Sequence, residues 1–170
     1  TPKGVERDER GRLTGRFFRL DGWLRGRLSG NKGEFPSLAE TSRLLSRFGV
    51  TGVTDATPAS GARELRGFSA ALQTGALDQQ LQLLGRPDLP PGGPAVVRGA
   101  VKIMLDDSDL PDFDELTRTI ASAHDADRNV AVHCVTRAEL VFTLAALDQA
   151  GPRPGDRIEH AAVTSPDLLG

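Results

Sequence analysis

From residue 36 onward the apolar positions alternate between two spacings, one helical and one of every second residue, and each switch marks a new element. Leu38, Thr41, Leu45 and Phe48 recur at helical spacing after Pro36, with Ser37 and Glu40 forming an S-x-x-E capping box and Gly49 as the stop. VTGVTDAT, rich in β-branched residues, predicts a strand that ends in Asp55 and Pro58. Leu65, Phe68 and Leu72 predict a helix running from near Ala62 to near Gly75. LDQQLQLLG fits a helical turn or a short strand equally well, and residues 85 to 95, with four prolines, predict a loop inside one sheet. Next come the apolar runs VVRGAVKIML, VAVHC and RIEHAAV. Between them lie two helical stripes, one of Phe113, Leu116, Ile120 and Ala123, the other of Leu140, Val141, Leu144 and Leu147, which ends before Gly151. Upstream, ERDERGRLTGRFFRL predicts a hairpin with its turn at Asp8 to Gly11.

Three ionisable side chains sit inside the three apolar runs: Lys102, His133 and His160. From Lys102 to His133 is 31 positions and from His133 to His160 is 27, the length of one strand, helix, strand unit. Parallel strands joined by right-handed crossovers point the same way, so residues at similar heights on them converge at one end of the sheet. Three groups with metal-directed chemistry are therefore expected to meet. Alternation puts Val97, Val101, Ile103 and Leu105 on one face, suited to packing under helices. Arg98, Ala100, Lys102, Met104 and Asp106 fall on the other, toward the inside of a barrel. His133 opposes Val130, Val132 and Cys134 in parity, whereas His160 shares parity with Ile158 and opposes Glu159.

The strings GVTGVTDATP, VKIMLDD, VAVHCVTRAEL and GDRIEHAAVTSPDLL, in this order and spacing, resemble the middle of a metal-dependent amidohydrolase. The branch they resemble includes N-substituted formamide deformylase, and GVERDERGRLTGRF resembles that branch's glycine-rich insert, so the likeness covers nearly all 170 residues. The resemblance implies an α/β fold: a (β/α)8 TIM barrel with parallel strands and crossover helices, here partial and incomplete at both ends. Residues 1–35 would be a glycine- and arginine-rich insert or hairpin, and residues 36–170 the central βα units. The implied reaction is hydrolysis of a non-peptide C–N bond, in an amide or formamide, by metal-activated water. The implied cofactor is a divalent metal, zinc by expectation, as one or two ions in the complete enzyme.

In such families a first-strand His-x-His pair, a lysine carboxylated on its amine, two further histidines and a late aspartate share the ligation. Residue by residue, Lys102 matches the carboxylated bridge and His133 and His160 match the two later histidines. The His-x-His pair and the aspartate expected as general base have no counterpart in this chain, so the piece alone is expected to be inactive. The resemblance also tips LDQQLQLLG toward strand. It departs in two places. DDSDLPDFDE stands where the branch carries a longer loop starting Asp-Gly, and Val135 and Thr136 follow where the branch continues with Gly-Asp. The substrate pocket is expected to differ accordingly.

The chemistry stands apart from the family. A neutral imidazole is a good zinc ligand, and a catalytic site commonly offers three protein ligands and an open position. An ammonium repels a metal, so Lys102 would have to lose its proton and add carbon dioxide, a conversion that burial favours by lowering a lysine pKa. Each group also has an ordinary reading. A strand-end histidine is commonly a hydrogen-bonded structural residue, and Lys102 would serve equally as the partner of Asp106 or of an acid on a neighbouring strand. Asp55 either touches the site or caps the helix after it, the cap being favoured, and Asp106 shares the inward parity of Lys102. Both are candidates for contact with substrate or with the ligands. The acids of DDSDLPDFDE lack EF-hand spacing and read as an exposed loop favouring the next helix N-terminus. His124 reads as a surface residue or one at a helix C-terminus.

Composition narrows the setting. With 38% hydrophobic residues, 26% charged and a net charge of −2, the chain belongs to the soluble globular class. A barrel of this type takes about 250 residues, so a fragment with open sheet edges is expected, prone to form a homo-oligomer or otherwise associate. One cysteine excludes an internal disulfide and fits a reducing compartment, hence the cytoplasm. No signal peptide or membrane span is visible. Residues 1 to 33 hold nine Lys or Arg against four Asp or Glu without a nucleic-acid motif, which reads as a solvated insert. The expected partner is a small-molecule amide substrate, with no nucleic acid and no membrane. The alternative is a non-catalytic or degenerate barrel homologue with a scaffolding or association role.

Overall fold

The computed structural model describes residues 2, 4–18, 20–28 and 35–169, in two units that meet in sequence between Pro36 and Ser37. Lys3, Arg19 and residues 29–34 of the basic stretch lie outside the described residues. In the first unit, β1 (Val5–Arg7) and β2 (Leu13–Phe17) pair antiparallel. The Asp8 carboxylate accepts the backbone N–H groups of Arg10 and Arg12 at 2.9 Å each, and Gly11 sits at φ +75°, the left-handed region that suits glycine. This is the hairpin the turn chemistry predicts. The helix α1 (Asp21–Leu28) was not anticipated, because DGWLRGRL contains two glycines that weaken helix propensity. Across one of its turns the Arg27 guanidinium lies 5.1 Å from the Trp23 ring centre.

The second unit strings together α2 (Ala39–Arg47), β3 (Gly52–Asp55), α3 (Ala62–Gln73), β4 (Gln80–Gly85) and β5 (Val96–Met104). It continues with α4 (Phe113–Asp125), β6 (Val130–Cys134), α5 (Arg137–Ala150) and β7 (Arg157–His160). The five strands lie side by side in chain order, every pair parallel, and curl into a half-barrel with helices between strands. The fold class is therefore the expected α/β one, an incomplete α/β barrel. LDQQLQLLG resolves as strand β4, and the proline-rich residues 86–95 carry the chain from β4 to β5 without a helix. Among the described residues no helix is long and apolar enough to cross a membrane.

Two apolar clusters lie between sheet and helices. Val101, Val130, Val132 and Cys134 pack against Leu116, Ile120 and Ala123 of α4 and Leu140, Ala146 and Leu147 of α5. Leu81, Leu83 and Val96 pack against α3, whose Leu65, Phe68 and Leu72 supply the helical stripe. Each large side chain so buried contributes roughly 1.5–3 kcal/mol relative to exposure. Asp112 caps α4 by accepting the N–H groups of Asp114 and Glu115, so the acidic loop does serve a helix N-terminus.

Two local expectations fail for traceable reasons. The helix α2 begins at Ala39 with Leu38 as its N-cap and no side-chain cap, because it starts too late for the Ser37 hydroxyl to cap it. On β5, Val97 does not share the helix-facing side with Val101: it is 60% exposed, while its neighbour Val96 is buried with Leu81 and Leu83. Between the pairs Leu83 with Arg98 and Gly85 with Val101, β5 carries one residue more than β4. Such a bulge reverses the side-chain alternation, so parity read from Val101 downward points the wrong way below Gly99.

Candidate functional site

The C-terminal ends of β5, β6 and β7 form one stretch of rim. Met104 stands level with His133 and His133 with Glu159, while Cys134 stands level with His160. Alternation on β6 holds: Val130, Val132 and Cys134 face the helices, and His133 projects from the opposite side. On β7 His160 pairs in register with Cys134, so a regular strand would turn its ring beneath the helices. The backbone departs from extended geometry just there, with φ +72° at His160 and +46° at Ala161. Both are uncommon for residues other than glycine. The His160 ring then lies edge-on to that of His133, the ring centres 4.7 Å apart and the planes at 79°. His133 is half-buried and His160 is exposed.

Lys102 lies on the His133 side of β5, two residues before Met104, which places its Cα about 6.6 Å further from the rim. Its side chain is buried. Burial pushes the amine below the ordinary lysine range; Glu159 pulls it back, Arg157 depresses it further and Cys134 raises it slightly. Glu159, two strands away on β7, is thus the acid whose field acts on this lysine, and Glu159 itself accepts from Arg157 Nε at 2.7 Å.

The two aspartates hold their own loops. Asp55 accepts the Thr57 N–H at 3.0 Å and the hydroxyls of Thr57 and Ser60, three strands away from β6. It does not cap α3, whose N-cap is Gly61 with the Glu64 carboxylate accepting the Gly61 N–H. Asp106 accepts the N–H and hydroxyl of Ser108 at 3.0 and 2.7 Å, just beyond β5. Among the described residues no group of three or more His, Cys, Asp or Glu side chains comes together as a metal-holding cluster. What the fold does bring together is the imidazole pair, with Lys102 one layer below it.

Several buried polar residues escaped the sequence reading. Glu139, fully buried, accepts the N–H groups of Val135 and Thr136 just after β6 and of Asp107 just after β5. Burial pushes its carboxyl up, but those three N–H groups and the His133 ring outweigh it, so it titrates below the usual carboxylate range. The string T-x-x-E at Thr136 to Glu139 was its available signal. Arg128, just ahead of β6, donates to the carbonyls of Arg86, Pro87, Gly99 and Ala100 and ties the proline-rich loop to β5. His124 is at the C-terminal end of α4 but not at the surface: its side chain is 9% exposed, with Nε2 3.0 Å from the Asp156 carboxylate. Cys134 is buried with its sulfur 3.2 Å from the Thr143 hydroxyl, and burial pushes its thiol pKa up.

No protein-family profile matches the chain, and no curated protein matches it. Among solved structures it is similar to an uncharacterized metal-dependent hydrolase from Pyrococcus furiosus, at 19% identity and a TM-score of 0.70, over 99% of this chain and 42% of that one. A second, an uncharacterized metal-dependent hydrolase from Pyrococcus horikoshii OT3, aligns at 19% identity and a TM-score of 0.69, over 99% and 41%. The chain thus spans about two fifths of the length of the structures it matches. At that identity the likeness establishes fold alone: this chain has the fold of one part of those two proteins.

Proposed function

We propose that this chain forms part of a metal-dependent hydrolase that cleaves a non-peptide C–N bond, in an amide or formamide, with His133 and His160 holding a divalent metal. The observation that carries the reading is the meeting of the two imidazoles at the C-terminal rim of adjacent parallel strands, where barrels of this kind place their chemistry. The names of the two structurally similar proteins support its metal-dependent hydrolase part.

The donor set fits a borderline-soft ion such as zinc: two imidazoles on the open side of the sheet, and below them a lysine whose proton burial loosens. Bound there, the ion would acidify water and polarise a carbonyl oxygen. The remaining work falls to the chain. His133 is held half-buried by its strand and His160 is turned toward it by the left-handed backbone at its own position. Lys102 supplies either an anionic ligand as its carbamate or an ammonium in the field of Glu159, and that acid gives the second role its own support.

The test is metal content and hydrolysis together. The intact protein containing this chain is expected to retain about one or two zinc or other divalent ions per chain after dialysis. It should also hydrolyse members of a panel of N-substituted formamides and amides. Both properties should vanish in the His133→Ala, His160→Ala double variant. A metal-free wild type, or a double variant that keeps its metal and activity, refutes the proposal.

A further inference from the structure

The Glu139 carboxylate makes more bonds than a helix cap requires. A capping box needs one bond back to the N-cap, here Thr136 N–H to Glu139 Oε2 at 3.1 Å, answered by Glu139 N–H to the Thr136 hydroxyl at 3.2 Å. Two further N–H groups converge on the same carboxylate. Val135, two residues beyond His133, donates to Oε2 at 2.7 Å, and Asp107, in the loop after β5, donates to Oε1 at 3.1 Å. The side chain is wholly buried, whereas a cap alone is served equally well by a solvated carboxylate. The Glu139 carbonyl also lies 3.7 Å from the Cys134 sulfur, so the residue between His133 and Val135 is tethered to the same helical turn.

We propose that Glu139 is a positioning residue for the imidazole pair. By gathering the loops after β5 and β6 onto one carboxylate, it fixes the end of β6 and aims the His133 ring at His160. Cutting the carboxylate frees the Val135 and Asp107 backbones and lets the β6 end move relative to β5, so the ring pair loses its fixed geometry. Only the cobalt readout below rests on the metal reading; the ring geometry is independent of it.

The experiment compares wild type with Glu139→Gln, Glu139→Asp and Thr136→Ala by NMR of the histidine rings and by titration with cobalt(II). In Glu139→Gln an amide NH₂ replaces one acceptor and faces an N–H donor. The ring-to-ring NOE between His133 and His160 should weaken, the His133 ring nitrogen shifts should move, and cobalt should bind about 10- to 100-fold more weakly, the usual cost of losing an outer partner. Glu139→Asp keeps the charge and the bonds to its own loop but falls short of Asp107, and should lie between. Thr136→Ala removes the cap hydroxyl, so it should lower Tm and leave both ring NOE and cobalt affinity as in wild type. If Glu139→Gln does not fold, Glu139→Asp is judged against Thr136→Ala in the same way. Unchanged ring NOE and shifts in the folded Glu139 variants overturn the proposal, as does an equal loss in Thr136→Ala. A wild type that takes up no cobalt counts against the metal centre alone, since the ring NOE still decides the role of Glu139.

Discussion

The two ends of β6 and β7 are both polar, yet they spend their polar groups differently. Just ahead of β6 and β7, Arg128 and Asp156 are turned inward onto backbone: Arg128 reaches four carbonyls, and Asp156 accepts the N–H groups of Val130 and Arg153 besides the His124 ring. At the far end the two histidines are turned toward each other, one of them exposed, with the buried Lys102, its proton affinity depressed by burial, further down β5. Buried polar groups satisfied by backbone hold a fold together, while the C-terminal rim of a parallel barrel is where such folds place their sites. The difference teaches that burial with a full set of backbone partners, as at Arg128, Asp156 and Glu139, marks the groups that hold this sheet, and that the exposed His160 of the proposed site is of another kind.

Breaking the base should cost the most stability. Arg128→Leu strands four carbonyls without their donor, and unfolding in urea should show a loss of about 3 kcal/mol or more, with an unchanged slope if the denatured state is unaltered. Asp156→Asn should cost less, about 1–3 kcal/mol at pH 7. Burial alone pushes the Asp156 carboxyl up, but the Val130 and Arg153 N–H groups and the His124 ring more than offset it, and the folded group titrates below 3.8. A depressed carboxylate stabilises the fold above its unfolded pKa and ceases to do so as pH falls through the folded value. The gap between wild type and Asp156→Asn should therefore hold from pH 7 to about 5 and shrink below about 4, as followed by thermal melts across that range. At the rim the order inverts. His160→Ala, at an exposed position, should change stability by only about 0.5 kcal/mol while weakening metal uptake by far more than any base variant that still folds. Equal losses of stability at the two ends would erase the distinction.

Much of the architecture was legible because it depends on local rhythm. The helical stripes of Leu65, Phe68 and Leu72 and of Phe113, Leu116, Ile120 and Ala123 fall on α3 and α4, and VAVHC alternates as a strand with one buried face. The inward parity of Lys102 and His133 was readable for the same reason. What escaped reading depends on single-residue irregularities or on partners distant in sequence. The extra residue of β5 is invisible in VVRGAVKIML, although Gly99 marks it: a Cβ there would stand 2.8 Å from Leu84 and 2.9 Å from Gln82. The register of β7, which sets His160 level with Cys134 and would turn it toward the helices, is not readable in RIEHAAV, nor is the positive φ at which its ring meets that of His133. His124 and Asp156 are 32 residues apart, and Arg128 meets carbonyls up to 42 residues away, so no local pattern distinguishes them from solvated charges.

The most direct test of the central claim is a crystal of the protein soaked in or grown with zinc and measured at the zinc absorption edge. The account predicts an anomalous peak at the C-terminal rim of β6 and β7, about 2.0–2.1 Å from one ring nitrogen of His133 and one of His160. A rim without a peak at full zinc occupancy elsewhere, or a peak reached by neither imidazole, would contradict it.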